Sequence, residues 1–540
     1  MDARAAATLA VMPRSAARLA LFLAIATGAA GHADARQAAT PPAGGYDAID
    51  AYTTALRPLK AAILGGNESV QHAAMSALRQ LHDPALEPLL ATLRGSDRWT
   101  LRVDSVLGLA EISPDRRINL ALVEQLPGER DREAAVGAVI GLDLADAAQL
   151  RAMLDWVDLS PPQRALIAAR IRKKGGIADG AALVRLAGSK SPEVAGLATA
   201  VLLDQKSPDA AALEAKCREQ LASLAPNMRS AAAAVVAEAC AANSLKGASP
   251  FVAALGALPA LNDDGRMRIL GSLLLLDAER AYPLLARGIA AESSPGRRLP
   301  YAALLVASGV RAPAAEWNRL KGENELLEAI AGIGLALSEG SDTAAYARVL
   351  ALENRVLLRA AHDGARHLGE GHERALGREC LAFVLKPGPT PPALSESLLV
   401  VLCRHAELAP EEFRAPLADD ALDQPTRDAL IIALLNAGTR EAAAVAGSAK
   451  EKASRLGRGN IAVLEARHAA ELGREDLDEL MRLAGGASNA PAPVRIQAAW
   501  LWARHSGKAA EAIRELTAAS GTDAGSDAGT SAGSTTGAGR

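Results

Sequence analysis

A polar or proline turn residue followed closely by arginine recurs along this chain. It is seen in Asp97-Arg98, Asp131-Arg132, Asn227-Met228-Arg229, Asp264-Gly265-Arg266, Asn354-Arg355, Pro425-Thr426-Arg427 and Pro493-Val494-Arg495. Asp and Asn supply an N-cap oxygen, and Pro suits a first turn, so each reads as the start of a helix. Weaker members begin near Arg164, Glu193, Arg297, Ala393 and Arg458. Successive starts fall about 28–37 residues apart where both are visible, and near residues 323–327 the start is blurred. A unit of that length cannot bury its apolar face alone and must stack on its neighbours. Apolar residues keep helical spacing between the starts. Val70, Ala74, Ala77, Leu78 and Leu81 form one stripe, and Val103, Val106, Leu107 and Ala110 the next. Breaks such as Leu93-Arg94-Gly95-Ser96-Asp97 and Lys173-Lys174-Gly175-Gly176 separate helices of about 10–16 residues. Aromatic residues make up only 3% of the chain, low for a sandwich or barrel, and no run of alternating β-branched residues stands out. The expected fold class is all-α, an α-solenoid in which helical hairpins stack into a right-handed superhelix of about 28–30 helices over residues 46–519.

The two ends have a different composition. Arg14 and Arg18 precede the apolar run Leu19–Ala26, and a small-residue stretch leads to Ala33-Asp34-Ala35. A charged region, a short apolar region and an A-x-A site are the parts of a secretory signal peptide, here residues 1–35. The apolar run is far short of the ~20 residues that a spanning helix needs, and no later segment approaches that length. Residues 36–45 read as a Pro/Gly/Ala linker. Residues 520–540 carry no large apolar side chain and are expected to be disordered. The mature chain is expected to be extracytoplasmic, periplasmic or secreted, with no membrane span after cleavage. With 59 Lys+Arg against 62 Asp+Glu, the full chain lacks the basic surplus of a nucleic-acid binder.

Two stretches carry a resemblance. Asp83-Pro84-Ala85-Leu86-Glu87-Pro88-Leu89-Leu90-Ala91-Thr92-Leu93, followed by Asp97 and an amphipathic helix, resembles a HEAT repeat. Pro493-Val494-Arg495-Ile496-Gln497-Ala498-Ala499-Trp500-Leu501-Trp502 resembles the second helix of the short HEAT-like type, which also occurs in bilin-lyase proteins. The resemblance is strong near residues 67–112, 178–205 and 491–506 and degenerate between. HEAT repeats are defined by packing residues, so the resemblance implies a curved superhelix whose second helices line a concave binding surface. It implies no chemistry and no cofactor.

The search for catalytic groups is mostly negative. His362, His367 and His372 form the densest polar cluster, together with Asp363, Glu370 and Glu373. Metal ligands on one helix face need i,i+4 spacing, whereas these histidines are five apart, about 140° per step. They remain weak metal candidates beside the plainer reading of a polar helix end with Gly369 as its cap. His372-Glu373-Arg374-Ala375-Leu376 misses H-E-x-x-H because Leu376 replaces the second ligand. Gly529-Thr530-Ser531-Ala532-Gly533 matches G-x-S-x-G but lies in the tail, and Gly332-Ile333-Gly334 lacks a dinucleotide loop's third glycine. Arg170-Ile171-Arg172-Lys173-Lys174 is the one notable basic run, placed to complement a helix C-terminus or to hold a phosphate. Trp500 reads as core, and Trp502, about 200° round the helix, as core or an exposed anchor.

Four cysteines remain. Cys217 and Cys240 lie on the two arms of one predicted hairpin, and Cys380 and Cys403 on the arms of another. An oxidising compartment allows two bridges with that pairing, and buried free thiols are the alternative. The expected function is a non-enzymatic scaffold that binds a protein or peptide on its concave face. The alternatives are a passive structural spacer in an envelope assembly or, on the strength of the short repeats alone, a bilin-lyase-type enzyme.

Overall fold

The computed structural model describes residues 48–518 apart from 157–158, 340–343, 353, 369, 386–407 and 486–489. The expected signal peptide, linker and tail, and the hairpin start near Ala393, lie outside the described residues.

Among the described residues the chain forms 28 α-helices and no strand. The N-terminal third comprises α1 (Ala48–Ile63), α2 (Glu68–Arg79), α3 (Glu87–Leu93), α4 (Trp99–Ile112), α5 (Leu120–Glu124), α6 (Glu129–Leu142), α7 (Ala147–Leu154), α8 (Pro161–Lys173), α9 (Gly180–Ala187) and α10 (Pro192–Asp204). The middle comprises α11 (Ala210–Ala222), α12 (Pro226–Ala242), α13 (Ser249–Gly256), α14 (Asp263–Leu276), α15 (Ala278–Ala291), α16 (Pro295–Ala307), α17 (Ala314–Asn318), α18 (Glu325–Glu339), α19 (Ala344–Ala351), α20 (Arg355–Leu368) and α21 (Glu370–Val384). The remainder comprises α22 (Arg414–Ala418), α23 (Gln424–Ala437), α24 (Arg440–Gly447), α25 (Arg455–His468), α26 (Arg474–Ala484), α27 (Ala492–His505) and α28 (Ala509–Ala518). They pair as hairpins. First arms such as α3, α5 and α7 are short, and second arms such as α4, α8, α10 and α12 are longer and pack on one another along the chain.

The recurring arginine of the sequence has a structural role. Where an arginine occupies the fourth position of a second arm it turns back to the main-chain carbonyls left open where the preceding segment ends; in α4 and α16 that arginine is Arg102 and Arg298, not the Arg98 and Arg297 that stand out in the sequence. Arg102 donates to Ser96 O at 2.7 Å, Arg132 to Leu126 O at 2.8 Å and Arg298 to Glu292 O at 2.6 Å. Arg164 donates to Leu154 O, Trp156 O and Leu159 O at 2.7, 2.6 and 3.2 Å. Arg229 reaches Ala222 O and Leu224 O, Arg427 reaches Asp419 O, and Arg495 reaches Ala484 O. The last carbonyls of a helix have no intrahelical partner, and a guanidinium with five donors is suited to closing several at once. The accompanying Asp and Asn are less often caps than the sequence suggests. Asp131 lies inside α6 and accepts from Arg102 at 2.6 Å, and α14 is capped by Asn262, not Asp264.

The array is closed. α27 packs against α2, α1 lies against α26, α27 and α28, and α28 reaches α3. Gln497 Nε2 donates to Ala77 O at 2.9 Å, much as Gln163 Nε2 of α8 donates to Glu133 O of α6 at 3.0 Å within the array. Trp500 Nε1 donates to Asp83 Oδ2 at 2.9 Å, and Arg504 lies 3.3 Å from the same oxygen. Tyr52 packs on Trp502 with ring centroids 6.3 Å apart, and Lys60 pairs with Glu515. A solenoid with two open ends needs terminal repeats with polar outer faces. Here Tyr52, Leu56, Leu59 and Ile63 of α1 and Trp500, Leu501 and Trp502 of α27 are all buried, so each end covers the other. Periodicity reports that a face is apolar but not which repeat will cover it, so closure was not part of the sequence expectation.

Candidate binding surface

The second arms do not form an open lining throughout. Residues 165–171 of α8, 194–202 of α10, 459–464 of α25 and 496–503 of α27 are buried without interruption, so over those stretches no side of the helix faces solvent. The array opens over α2, α4 and α6, beside the closing contact. Glu68, Val70, His72 and Ala73 of α2 and Arg130 and Glu133 of α6 are exposed there.

Three of these helix starts are tied into one cluster. Glu68 is the first residue of α2, Trp99 the first of α4 and Arg130 the second of α6. The Trp99 indole N–H donates to Glu68 Oε1 at 2.7 Å, and Arg130 Nη2 to Glu68 Oε2 at 3.0 Å. The Arg130 guanidinium lies 4.1 Å from the Trp99 ring centre, within cation–π range. The indole hydrogen bond, against an opposing desolvation effect and helped by the charge and hydrogen bond of Arg130, holds the Glu68 carboxyl below the usual carboxylate range. Arg130 and Glu68 keep 65% and 58% of their side-chain surface exposed, so the cluster is organised without being hidden.

A second polar group lies along the same helices. Arg79 of α2 bridges Asp104 and Glu111 of α4, with Nη1 to Asp104 Oδ1 at 2.7 Å, Nε to Glu111 Oε2 at 2.8 Å and Nη2 to Glu111 Oε1 at 3.1 Å. The other Asp104 oxygen lies 2.8 Å from His72 Nδ1. Arg79 and Asp104 are buried and paired, as charges inside a helical array must be. Asp104 interrupts the apolar stripe of Val103, Val106 and Leu107, and that interruption is the signal by which a sequence reading can find the group.

The residues singled out from sequence fare differently. His362 lies in the middle of α20 with Nδ1 3.1 Å from Asp363 Oδ1, and the side chains of His367 and His372 lie outside the described residues. Among the described residues no group of three or more His, Cys, Asp or Glu side chains is placed to hold a metal ion. The basic run is engaged by the fold itself. Arg170 reaches Ile140 O, Arg172 pairs with Asp204 at 2.8 Å, Lys173 reaches Ala242 O and Lys174 pairs with Asp143 at 3.0 Å. Trp500 and Trp502 are both buried, so the anchor that Trp502 provides is intramolecular.

Cys217 in α11 and Cys240 in α12 are buried free thiols, not a bridge. Cys217 is the eighth of the thirteen residues of α11, and Cys240 lies close to the end of α12. Burial, with a contribution from Glu214, pushes the Cys217 thiol up to about 12. Burial, then Asp204 and Cys217, pushes Cys240 up as well, so both are poor nucleophiles. Cys380 is buried in α21, and Cys403 lies outside the described residues, so the second pairing is not described. No helix among the described residues is long and apolar enough to cross a membrane.

No family model matches the chain, and no curated protein or solved structure matches it.

Proposed function

We propose that this protein is an exported, non-enzymatic scaffold of HEAT-like repeats that holds a protein partner on the exposed helix starts of α2, α4 and α6. The observation that carries the reading is the Glu68–Trp99–Arg130 cluster, in which an aromatic ring and a guanidinium are fixed at the surface by a carboxylate that touches both. Trp and Arg dominate binding energy at protein interfaces, and fixing their rotamers beforehand lowers the entropy cost of association. Export rests on the charged, apolar and A-x-A parts of the leader, and the HEAT assignment on the packing residues near 67–112 and 491–506.

The runs of continuously buried second helix and the closed ends favour a second reading, a rigid spacer that binds nothing in particular. Affinity capture from an extract of the source cells separates the two. Under the scaffold reading the mature chain enriches a specific protein, Arg130→Glu or Trp99→Ala abolishes the enrichment, and Arg297→Glu, on exposed α16 surface away from α2, α4 and α6, leaves it intact. Enrichment indifferent to Arg130→Glu, or none above an untagged control, supports the spacer. N-terminal sequencing of the native protein tests export separately, with Arg36 as the expected first residue.

A further inference from the structure

The Arg79 cluster is unbalanced in charge. Asp104 and Glu111 contribute two carboxylates, with side chains 2% and 12% exposed, and Arg79 contributes one guanidinium, 8% exposed. His72 also touches the cluster, through Asp104 at 2.8 Å, and its side chain is 65% exposed and open to protons from solvent. Among the four bonded groups a neutral imidazole leaves a net charge of −1 and an imidazolium brings the sum to zero, while Arg116 and Arg467 act together with Arg79 and Glu111 on the neighbouring His82. A buried carboxylate pair sharing a single cation is costly, and a second cation at hydrogen-bond distance relieves it.

We propose that His72 is a proton-controlled joint: its imidazolium completes the Arg79–Asp104–Glu111 cluster and tightens α2 onto α4, and its deprotonation loosens that contact. The joint sits where this matters to the whole array. α2 also carries Ala77, whose carbonyl accepts from Gln497 of α27, so the helix fixed by His72 on one flank holds the ends of the array together on the other. The charged groups that act on the imidazole are Asp104 from α4 and Arg79 from α2, and no charged group of α1 or α27, which pack on the other flanks of α2, bears on it. The hydrogen bond and charge of Asp104 raise the His72 pKa above its ordinary value, against the opposing effects of burial and Arg79. A histidine whose folded-state pKa is raised contributes stability that is fully present below its unfolded pKa, about 6.5, and is lost as pH rises through the folded value. The joint is therefore tight in mildly acidic surroundings and loose above neutrality.

Two measurements on the full mature chain test this. Histidine-selective NMR, with the His72 resonance identified by its absence in His72→Gln, is expected to show His72 titrating above about 6.5. Amide exchange, corrected for the intrinsic pH effect, is expected to show α2 and α4 losing protection severalfold between pH 5.5 and pH 8. His72→Gln replaces an exposed ring and should fold, and it is expected to show the high-pH protection at both values. A His72 resonance titrating at or below about 6.5, or a His72→Gln chain that keeps the parental pH response, overturns the proposal. Asp104→Asn, where it folds, is expected to return the His72 titration to its ordinary value. An unmoved titration in that variant also overturns it.

Discussion

The hairpins beside the closing contact and those in the middle of the chain meet the same packing requirement with different groups. Around the contact, buried polar side chains fix the register. Arg79 is shared between Asp104 and Glu111, Asp83 accepts from Trp500, and Gln497 donates to Ala77 O. Between α15 and α20, glycines inside helices do so. A Cβ on Gly288 would collide with the ring of Tyr301, one on Gly334 with the ring of Trp317, and one on Gly364 would lie 2.6 Å from Val306 O. Close approach through glycine tolerates loss of a neighbouring group but not added volume, whereas a buried polar pair tolerates neither partner alone. The first region adds these buried bonds to close approaches of its own, as at Gly108, where a Cβ would lie 2.9 Å from Leu90, and the second relies on what its backbones leave out.

The sharpest test of this contrast is the closing contact. Trp500 is fully buried, and its indole is one of the groups bonded to Asp83. Trp500→Ala is expected to cost about 3–5 kcal/mol by cavity formation alone and to leave Asp83 with one donor fewer. Because both ends share the loss, amide protection in α2 and α27 should fall together. The largest dimension measured by small-angle scattering should grow as the array opens. A cost under about 1 kcal/mol, or exchange confined to α27, would mean that the two ends are not joined in solution.

Asp104→Ala comes next. It removes a buried carboxylate that Arg79 and His72 both use, and breaking a buried pair costs about 3–5 kcal/mol. The lower end is expected here, since Glu111 still holds Arg79 through two bonds. Equilibrium denaturation of the variant checks the magnitude, and the double change Arg79→Met with Asp104→Leu sharpens it. If the pair serves register and not net stability, the double variant should recover most of the loss.

In the middle region Gly364→Ala places a methyl against a main-chain oxygen that has no rotamer to escape to. Overpacking of this kind costs about 1–3 kcal/mol, and the better helix propensity of alanine returns about 1. A net loss of about 1 kcal/mol is expected. Gly137→Ala in α6 is the control, because its Cβ would meet nothing within 4 Å. There the propensity gain of about 0.5–1 kcal/mol should appear as stabilisation. If the two variants shift the thermal midpoint in the same direction, close approach at Gly364 is not what sets the packing of α16 on α20.

The same contrast explains what was legible in the sequence. Several second arms could be located because an arginine serving the preceding carbonyls sits at the fourth position of the helix. Arg132, Arg164, Arg229, Arg427 and Arg495 marked their helices in this way, whereas in α4 and α16 the arginines that stand out in sequence are Arg98 and Arg297 and the ones that serve the carbonyls are Arg102 and Arg298. Cap positions were less legible, because an Asp early in a helix serves equally well as an ion-pair partner, as Asp131 does for Arg102. The closure was not legible at all. Trp500 and Trp502 announce an apolar face on α27, but the residues that cover it, such as Asp83 and Tyr52, lie more than 400 positions away in sequence. The Arg79 cluster falls between these cases, since Asp104 within an apolar stripe is visible but its partners are set by tertiary contact.

The smallest expected effect separates the exposed cluster from the buried one lying along the same helices. Arg130 stacks on Trp99 and pairs with Glu68 while remaining mostly in solvent. A cation–π contact at an exposed site contributes about 0.5–1 kcal/mol, and an exposed ion pair adds little because water and salt screen it. Arg130→Ala should therefore lower stability by less than about 1 kcal/mol, with most of the difference gone at 1 M salt, where the screening length falls to about 3 Å. The Glu68 carboxyl should respond as well. Its pKa is held down first by the Trp99 indole and only then by Arg130, so Arg130→Ala should raise it part of the way and Trp99→Phe further. Carboxylate titration by NMR in the two variants checks that order. A rise in Arg130→Ala that exceeds the rise in Trp99→Phe would make the cluster a simple ion pair, with the indole a bystander. A stability loss comparable to that of Asp104→Ala would place Arg130 in the closure of the array and remove the reason for reading its exposed surface as one kept for a partner.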